Sequence, residues 1–250
     1  MMRFWNTTRE WEGETAAVMA SGPSMTYELS DKICALGIRA IAVNNQGIEV
    51  DGVSAMAPWA DILYAADNLW WMHNAEKALA FKGRKVTIVP TSGAVRTQGE
   101  EILVMRNGGT TGFDSRTDHL RTGGNGGYQA VHLAAHLGAK RILMFGFDMH
   151  SKGGEHWFGF HSWRVGHKGN YDMFRARFDT LAPELLRRGI EVVNCTPGSA
   201  LKCFPIMTLE EAIKDGVPNV HEDSRDDGRE NAGTARAARA CNEATQVGAS

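Results

Sequence analysis

Short apolar runs closed by turn residues recur along most of the chain. Residues 15–20 (TAAVMA) end in Ser21-Gly22-Pro23-Ser24, and residues 38–43 (IRAIAV) end in Asn44-Asn45-Gln46-Gly47. Residues 59–66 (WADILYAA) are closed by Asp67-Asn68, and further runs cover 85–89, 102–105, 141–145 and 190–193. Continuous runs of this length, in place of strict alternation, suit strands buried on both faces. Helical segments fall between them. Residues 25–36 follow Ser24, which is read as an N-cap. Residues 127–137 repeat apolar side chains at Tyr128, Val131, Ala134 and Ala135 and stop at Gly138, a suitable C-cap. Residues 171–188 form a third, with Gly189 after it. Strands alternating with helices imply right-handed crossovers. The fold expected is α/β, Rossmann-like and doubly wound, with a mostly parallel sheet.

Composition narrows the class further. At 250 residues with 43% hydrophobic content, a chain buries on the order of 70–75% of its unfolded surface and needs no staple to fold. A net charge of −2, from 27 basic and 29 acidic residues, gives no strong nucleic-acid signal. No apolar run approaches the roughly 18–20 residues of a membrane span, and the N-terminus lacks the apolar core of a signal peptide. Cys34, Cys195, Cys203 and Cys241 form no Cys-x-x-Cys pair, so reduced thiols in a cytoplasmic protein are expected. The chain is expected to divide into an N-terminal extension (1–14), a Rossmann-like domain (15–215) with a lid at about 149–170, and a tail (216–250). The tail is rich in glycine, alanine and charge and lacks aromatics, a composition that reads as disordered.

In an open parallel sheet, ligands bind beyond the carboxyl ends of the strands where strand order reverses. Gly22 there permits close backbone approach, and Ser24 would cap a helix whose free amides face an anion; a plain turn is the other reading. Asn44 and Asn45 end the second run, as base-reading amides or as residues that tolerate a left-handed turn. Residues 122–150 place a glycine-rich loop before a helix and end in Gly146-Phe147-Asp148. The loop could cradle a phosphate, yet it matches neither the P-loop nor Gly-x-Gly-x-x-Gly.

His132 and His136 stand one helical turn apart, but Leu133 occupies the place where a zinc protease needs glutamate, so both are assigned to packing or surface. His150, His156, His161 and His167 lie in the aromatic-rich lid, whose tryptophans and phenylalanines either stack on a sugar or base or seal the lid. Their spacing fits no metal pattern, so no metal ligand is assigned.

Taken in order, Gly22-Pro23-Ser24, Asn at the end of strand two, the small-residue loop, Leu137-Gly138-Ala139-Lys140 and Gly146-Phe147-Asp148 resemble one superfamily. It holds the bacterial CMP-sialic acid-dependent sialyltransferases, the flagellin nonulosonic-acid transferases and the archaeal-type 6-hydroxymethylpterin diphosphokinases. The sialyltransferase branch fits best, through Gly166-His167 and the polar stretch after it. The resemblance implies His167 as the general base on an acceptor hydroxyl. It implies nucleotide and donor contacts at Ser21, Gly22, Pro23, Ser24, Asn44 or Asn45, Asn68, Asn125, Gly126, Gly127, Thr196 and Ser199. His161, Trp163, Arg164 and Tyr171 fall on the acceptor or lid side.

The chain also departs from that family. Ala20 and Ser21 stand where it has glycine and asparagine, and Asn125-Gly126-Gly127 replaces Thr-Ser-Gly. The family's pair of phosphate-binding tyrosines has no secure match. The first reading is therefore a nucleotide-sugar-dependent glycosyltransferase with a CMP-linked donor, a hydroxyl acceptor and no required cofactor. The alternative is a diphosphokinase whose Mg²⁺ would need carboxylates such as Asp67 and Asp148. A third reading is a nucleotide-binding module without turnover. A homo-oligomer is left open.

Overall fold

The computed structural model describes residues 4–88, 102–159 and 169–214. Its centre is an eight-stranded sheet ordered β6-β5-β4-β3-β2-β1-β7-β8. The strands are β1 (Thr15–Met19), β2 (Arg39–Val43), β3 (Ile62–Tyr64), β4 (Arg84–Ile88), β5 (Ile102–Asn107), β6 (His119–Leu120), β7 (Arg141–Phe145) and β8 (Glu191–Asn194). Every pairing is parallel. The helices are α1 (Tyr27–Ala35), α2 (Asn68–Leu79), α3 (Gly126–His136), α4 (Tyr171–Arg187) and α5 (Leu209–Lys214). This is the doubly wound α/β fold read from the apolar runs.

Alternate residues of the central strands feed two cores. Val18, Ile41, Ile62 and Met144 pack under α3 and α4 with Tyr128, Val131, Phe178 and Leu181. Met19, Ala42, Leu63 and Phe145 pack on the opposite face with Ile33 of α1, Trp70 and Trp71 of α2, and Leu209 of α5. Both faces are therefore covered, which is why the strands read as unbroken apolar runs. The stretch Leu69-Trp70-Trp71-Met72 resolves into a helix in which the two tryptophans are core and Leu69 and Met72 are exposed.

Two element boundaries are corrected. The N-cap of α1 is Thr26, whose Oγ1 accepts from the Leu29 amide at 3.1 Å, while Ser24 is engaged elsewhere. The run at 59–66 contains a strand of three residues, because Ala57 to Ala60 close a turn (Ala60 N to Ala57 O, 3.2 Å). Asp61 just beyond that turn accepts from the Ala40 amide at 2.8 Å.

The N-terminal extension is tied to the domain: Trp5 N donates to Val104 O (2.9 Å), Trp11 N to Leu137 O (2.7 Å), and Trp11 is buried. His132 and His136 stack at 4.7 Å between ring centroids and are packing groups. His132 Nδ1 accepts from the Arg121 amide (3.1 Å), which leaves Nε2 to donate to Asp114 O (3.1 Å). Burial pushes its pKa down to about 3.

Cys195 and Cys203 are free thiols whose pKa burial pushes up to about 12. Cys34 is disulfide-bonded, so the expectation of four reduced thiols does not hold. Among the described residues no helix is long and apolar enough to cross a membrane. The expected tail lies outside the described residues.

Candidate functional site

Connections leave β1 toward β2 on one side, while β7 pairs with β1 on the other, so strand order reverses between β1 and β7. At the carboxyl ends of these two strands the backbones nearly touch. Gly22 N donates to Gly146 O at 3.0 Å. A Cβ on Gly22 would lie 2.9 Å from Asp148 Cγ and nearer still to Asp148 Oδ2 and Gly146 O. Gly146 has φ +72, and a Cβ there would strike Ala20 O. Both positions thus require glycine, for closeness at one and for closeness and a left-handed backbone at the other. The Asp148 carboxylate is buried and accepts from Ser24 Oγ at 2.8 Å, which is what occupies Ser24.

A second element enters from α3. Asn125 caps it, Oδ1 accepting from the Tyr128 amide at 3.0 Å. The amides of Gly126 and Gly127 stand at the helix start, where no intrahelical acceptor exists. The absence of a side chain on Gly126 brings this start against the end of β2, with its Cβ position 3.2 Å from Val43 Cγ1. Asn44 beside it holds φ +54, and its Oδ1 is buried without a hydrogen-bond partner. The three non-glycine residues with positive φ among those described are Asn44, Asp51 and Met149, and two of them border one cavity. Left-handed backbone on non-glycine residues costs of order 1 kcal/mol or more, and it gathers at sites where geometry is imposed for function.

That cavity has a volume of about 390 Å³ and lies between the strand ends, the start of α3 and the segment after β7. That segment lines it with Met149, His150, Glu155 and His156, with Tyr171 and Phe174 of α4 beside them. The turn at Met149 is pinned by Arg175 Nη1 donating to Met149 O (2.8 Å) and Ala200 N donating to Asp148 O (2.8 Å). Trp157 N donates to Ser21 O (3.2 Å), which ties this segment to the end of β1. His150 Nδ1 is buried without a partner. Burial, then the Glu155 and Asp148 carboxylates, push the Tyr171 phenol upward. Tyr171 is therefore a neutral hydroxyl at physiological pH. Among the described residues no trio of His, Cys, Asp or Glu could hold a metal ion.

The structure brings Ser21, Gly22, Pro23, Asn44, Asn125, Gly126, Asp67, Asp148 and Tyr171 to this one cavity. Ser24 stands behind it through Asp148. Asn45 lies beneath, its Oδ1 accepting from Trp70 Nε1 at 2.6 Å. Asn68 opens α2 and reaches along it, its Nδ2 lying 3.9 Å from Met72 Sδ. Gly127 packs against the Phe147 ring. Thr196 Oγ1 accepts from Phe147 N (3.1 Å) and Ser199 Oγ donates to Phe147 O (2.5 Å), so both brace the β7 end from outside the cavity. His167, His161, Trp163 and Arg164 lie outside the described residues.

Gln129, Glu155 and Phe174 also border the cavity, and no motif in the sequence pointed to them. A lone amide in the otherwise apolar run of α3 was the available signal for Gln129. Glu155 had none beyond its place in the histidine- and aromatic-rich stretch after β7.

No protein-family model matches the chain. No curated protein matches it. Among solved structures, the Maf glycosyltransferase from Magnetospirillum magneticum AMB-1 superposes with a TM-score of 0.55 at 14% identity, covering 86% of this chain and 38% of that one. The chain thus spans less than two fifths of that protein. The sialyltransferase CstII from Campylobacter jejuni, solved in complex with a substrate analogue, cytidine-5'-monophosphate, gives 0.41 at 13% identity over 79% of this chain and 86% of that one. The monofunctional α-2,3-sialyltransferase Cst-I from Campylobacter jejuni gives 0.45 at 11% over 99% of both chains. The two lower scores carry no weight in assigning fold or function. What is shared with the Maf glycosyltransferase is the fold, a Rossmann-like α/β architecture.

Proposed function

We propose that the chain is a nucleotide-sugar-dependent glycosyltransferase. The observation that carries this reading is the convergence of Gly22, Asn44 and the Asn125-capped start of α3 on one cavity at the reversal of strand order. A volume of about 390 Å³ falls in the range of small-ligand and cofactor pockets, roughly 300–1,000 Å³. Unpaired helix-start amides favour an anionic group such as a nucleotide phosphate. The fold shared with the Maf glycosyltransferase and the motif resemblance support the same reading.

In this reaction the acceptor hydroxyl oxygen bonds to the anomeric carbon as the bond from that carbon to the phosphate oxygen breaks. The nucleotide leaves with the bonding electron pair. The acceptor proton passes to a general base, the role that the resemblance gives to His167. Gly169, the nearest described residue after it, borders the cavity. The helix-start amides would stabilise the charge on the departing phosphate. A CMP-linked sugar is the donor we propose first, on the motif resemblance alone.

Pyrophosphoryl transfer would need a divalent cation. Asp67 and Asp148 border the cavity, but Asp67 Oδ1 accepts from the Leu69 amide and Asp148 Oδ2 from Ser24 Oγ, so no observation favours that reading.

The test is release of free nucleotide from CMP-, UDP- and GDP-linked sugars, followed chromatographically with and without Mg²⁺. Release from one donor class is expected, together with its loss in His167→Ala while nucleotide binding persists. Binding without release from any donor would point to a module that has lost turnover. Neither binding nor release would overturn the proposal.

A further inference from the structure

Gln129 sits on the first turn of α3, is 4% exposed and borders the cavity. An amide buried this deeply must satisfy both of its ends or destabilise the fold. Its Oε1 accepts from the Tyr64 hydroxyl at 2.5 Å, and its Nε2 donates to Thr122 O at 2.8 Å. Tyr64 ends β3 and is fully buried, which drives its pKa upward and keeps the hydroxyl protonated. The Thr122 carbonyl can only accept, so it admits only the nitrogen end of the amide. The oxygen end must then face Tyr64, whose hydroxyl supplies the donor.

Thr122 O is a junction. It also accepts from Asn125 N at 3.1 Å, closing the turn that delivers Asn125 to its capping position. Gly123 and Gly124 within the turn have φ of +56 and +64. Two consecutive glycines leave such a turn many alternative geometries. From outside it is held by Thr122 N donating to Gly109 O (2.8 Å) and Gly123 N donating to Thr110 O (2.9 Å). From inside, the Gln129 amide ties it to the end of β3.

We infer that Gln129, braced by Tyr64, is a positioning residue that fixes the 122–125 turn and so sets the Gly126 and Gly127 amides for an anionic ligand group. The consequence for affinity rests on the glycosyltransferase reading; the consequence for the order of the turn does not.

The experiment compares wild type with Gln129→Met, which keeps bulk but removes both hydrogen bonds, and Tyr64→Phe, which removes only the hydrogen bond to Gln129 Oε1. Hydrogen exchange of the hydrogen-bonded Gly123 and Asn125 amides is read beside exchange of the sheet, and binding of CMP and UDP is read by calorimetry. In Gln129→Met, exchange in the turn is expected to rise about tenfold or more while the sheet is unchanged, the signature of local opening. Nucleotide affinity is expected to fall by a similar factor, with a smaller loss in Tyr64→Phe. Turn exchange that stays at the wild-type rate, or rises only in step with the sheet, would overturn the inference. If wild type binds neither nucleotide, the functional reading is what fails, and the exchange data still decide the positioning role.

Discussion

Gly22 and the Asp148 carboxylate compete for one volume: a Cβ on the glycine would fall within 2.9 Å of Asp148 Cγ and closer to its Oδ2. The end of β1 is thereby locked against the end of β7, the two parallel strands between which strand order reverses. Gly22→Ala is expected to cost about 1–3 kcal/mol through overpacking. In an Asp148→Ala background the cost should shrink without vanishing, because Gly146 O also meets the added carbon. Urea unfolding of the two single variants and the double variant measures this coupling.

Asn125 separates capping from ligand chemistry. Asn125→Ala removes the acceptor for the Tyr128 amide and is expected to lose about 1 kcal/mol of stability. Asn125→Asp keeps the cap and adds a favourable charge at a helix start. Its stability should therefore match wild type, while an anionic ligand at the same helix start is repelled and its affinity falls about tenfold or more. Thermal unfolding and ligand titration of both variants provide the check.

Asn44 holds φ +54 with a buried, unpaired Oδ1 at the cavity wall. Glycine accepts that backbone without strain, so Asn44→Gly is expected to change stability by less than about 1 kcal/mol. A loss of nucleotide affinity without a matching loss of stability would assign the amide to the ligand. Unchanged affinity would assign it to the turn alone.

His132 is buried neutral with its pKa pushed down to about 3, and His136 is shifted the same way by burial. Their ordinary value is near 6.5, so below it the unfolded chain binds more protons than the folded one. Stability is full above that pH and is lost as pH falls. Between pH 7 and 5 the loss attributable to one such histidine is about 2 kcal/mol. Urea midpoints across that range should fall, and His132→Gln should flatten the slope. Asp114, held below the usual carboxylate range by Arg116, acts in the same direction only at lower pH.

Strands β1, β2 and β7 were legible because burial on both faces leaves unbroken apolar runs that end in turn residues. Helix α3 was legible from its apolar repeat and its glycine stop. Helix α2 was not, because its two buried tryptophans and exposed Leu69 and Met72 give a short apolar block with no clear face. Ser21, Gly22, Asn44, Asn125 and Asp148 could be named because strand ends and helix starts in this fold are where ligands sit. Their mutual contacts could not. Nothing in the order of residues shows that Gly22 meets Asp148, or that Gln129 accepts from a tyrosine 65 positions earlier. Thr196 and Ser199 stand at a strand end as expected, yet their hydroxyls bond Phe147, a partner that only the packed sheet supplies.

The claim that the cavity is a nucleotide site is tested most directly by calorimetric titration of CMP, CTP, UDP, GDP and ATP, with and without Mg²⁺, into wild type and Asn125→Asp. Metal-independent binding of a cytidine nucleotide to wild type, weakened about tenfold or more in Asn125→Asp at unchanged thermal stability, is the expected result. Failure of every nucleotide to bind, or binding indifferent to the carboxylate at residue 125, would contradict it.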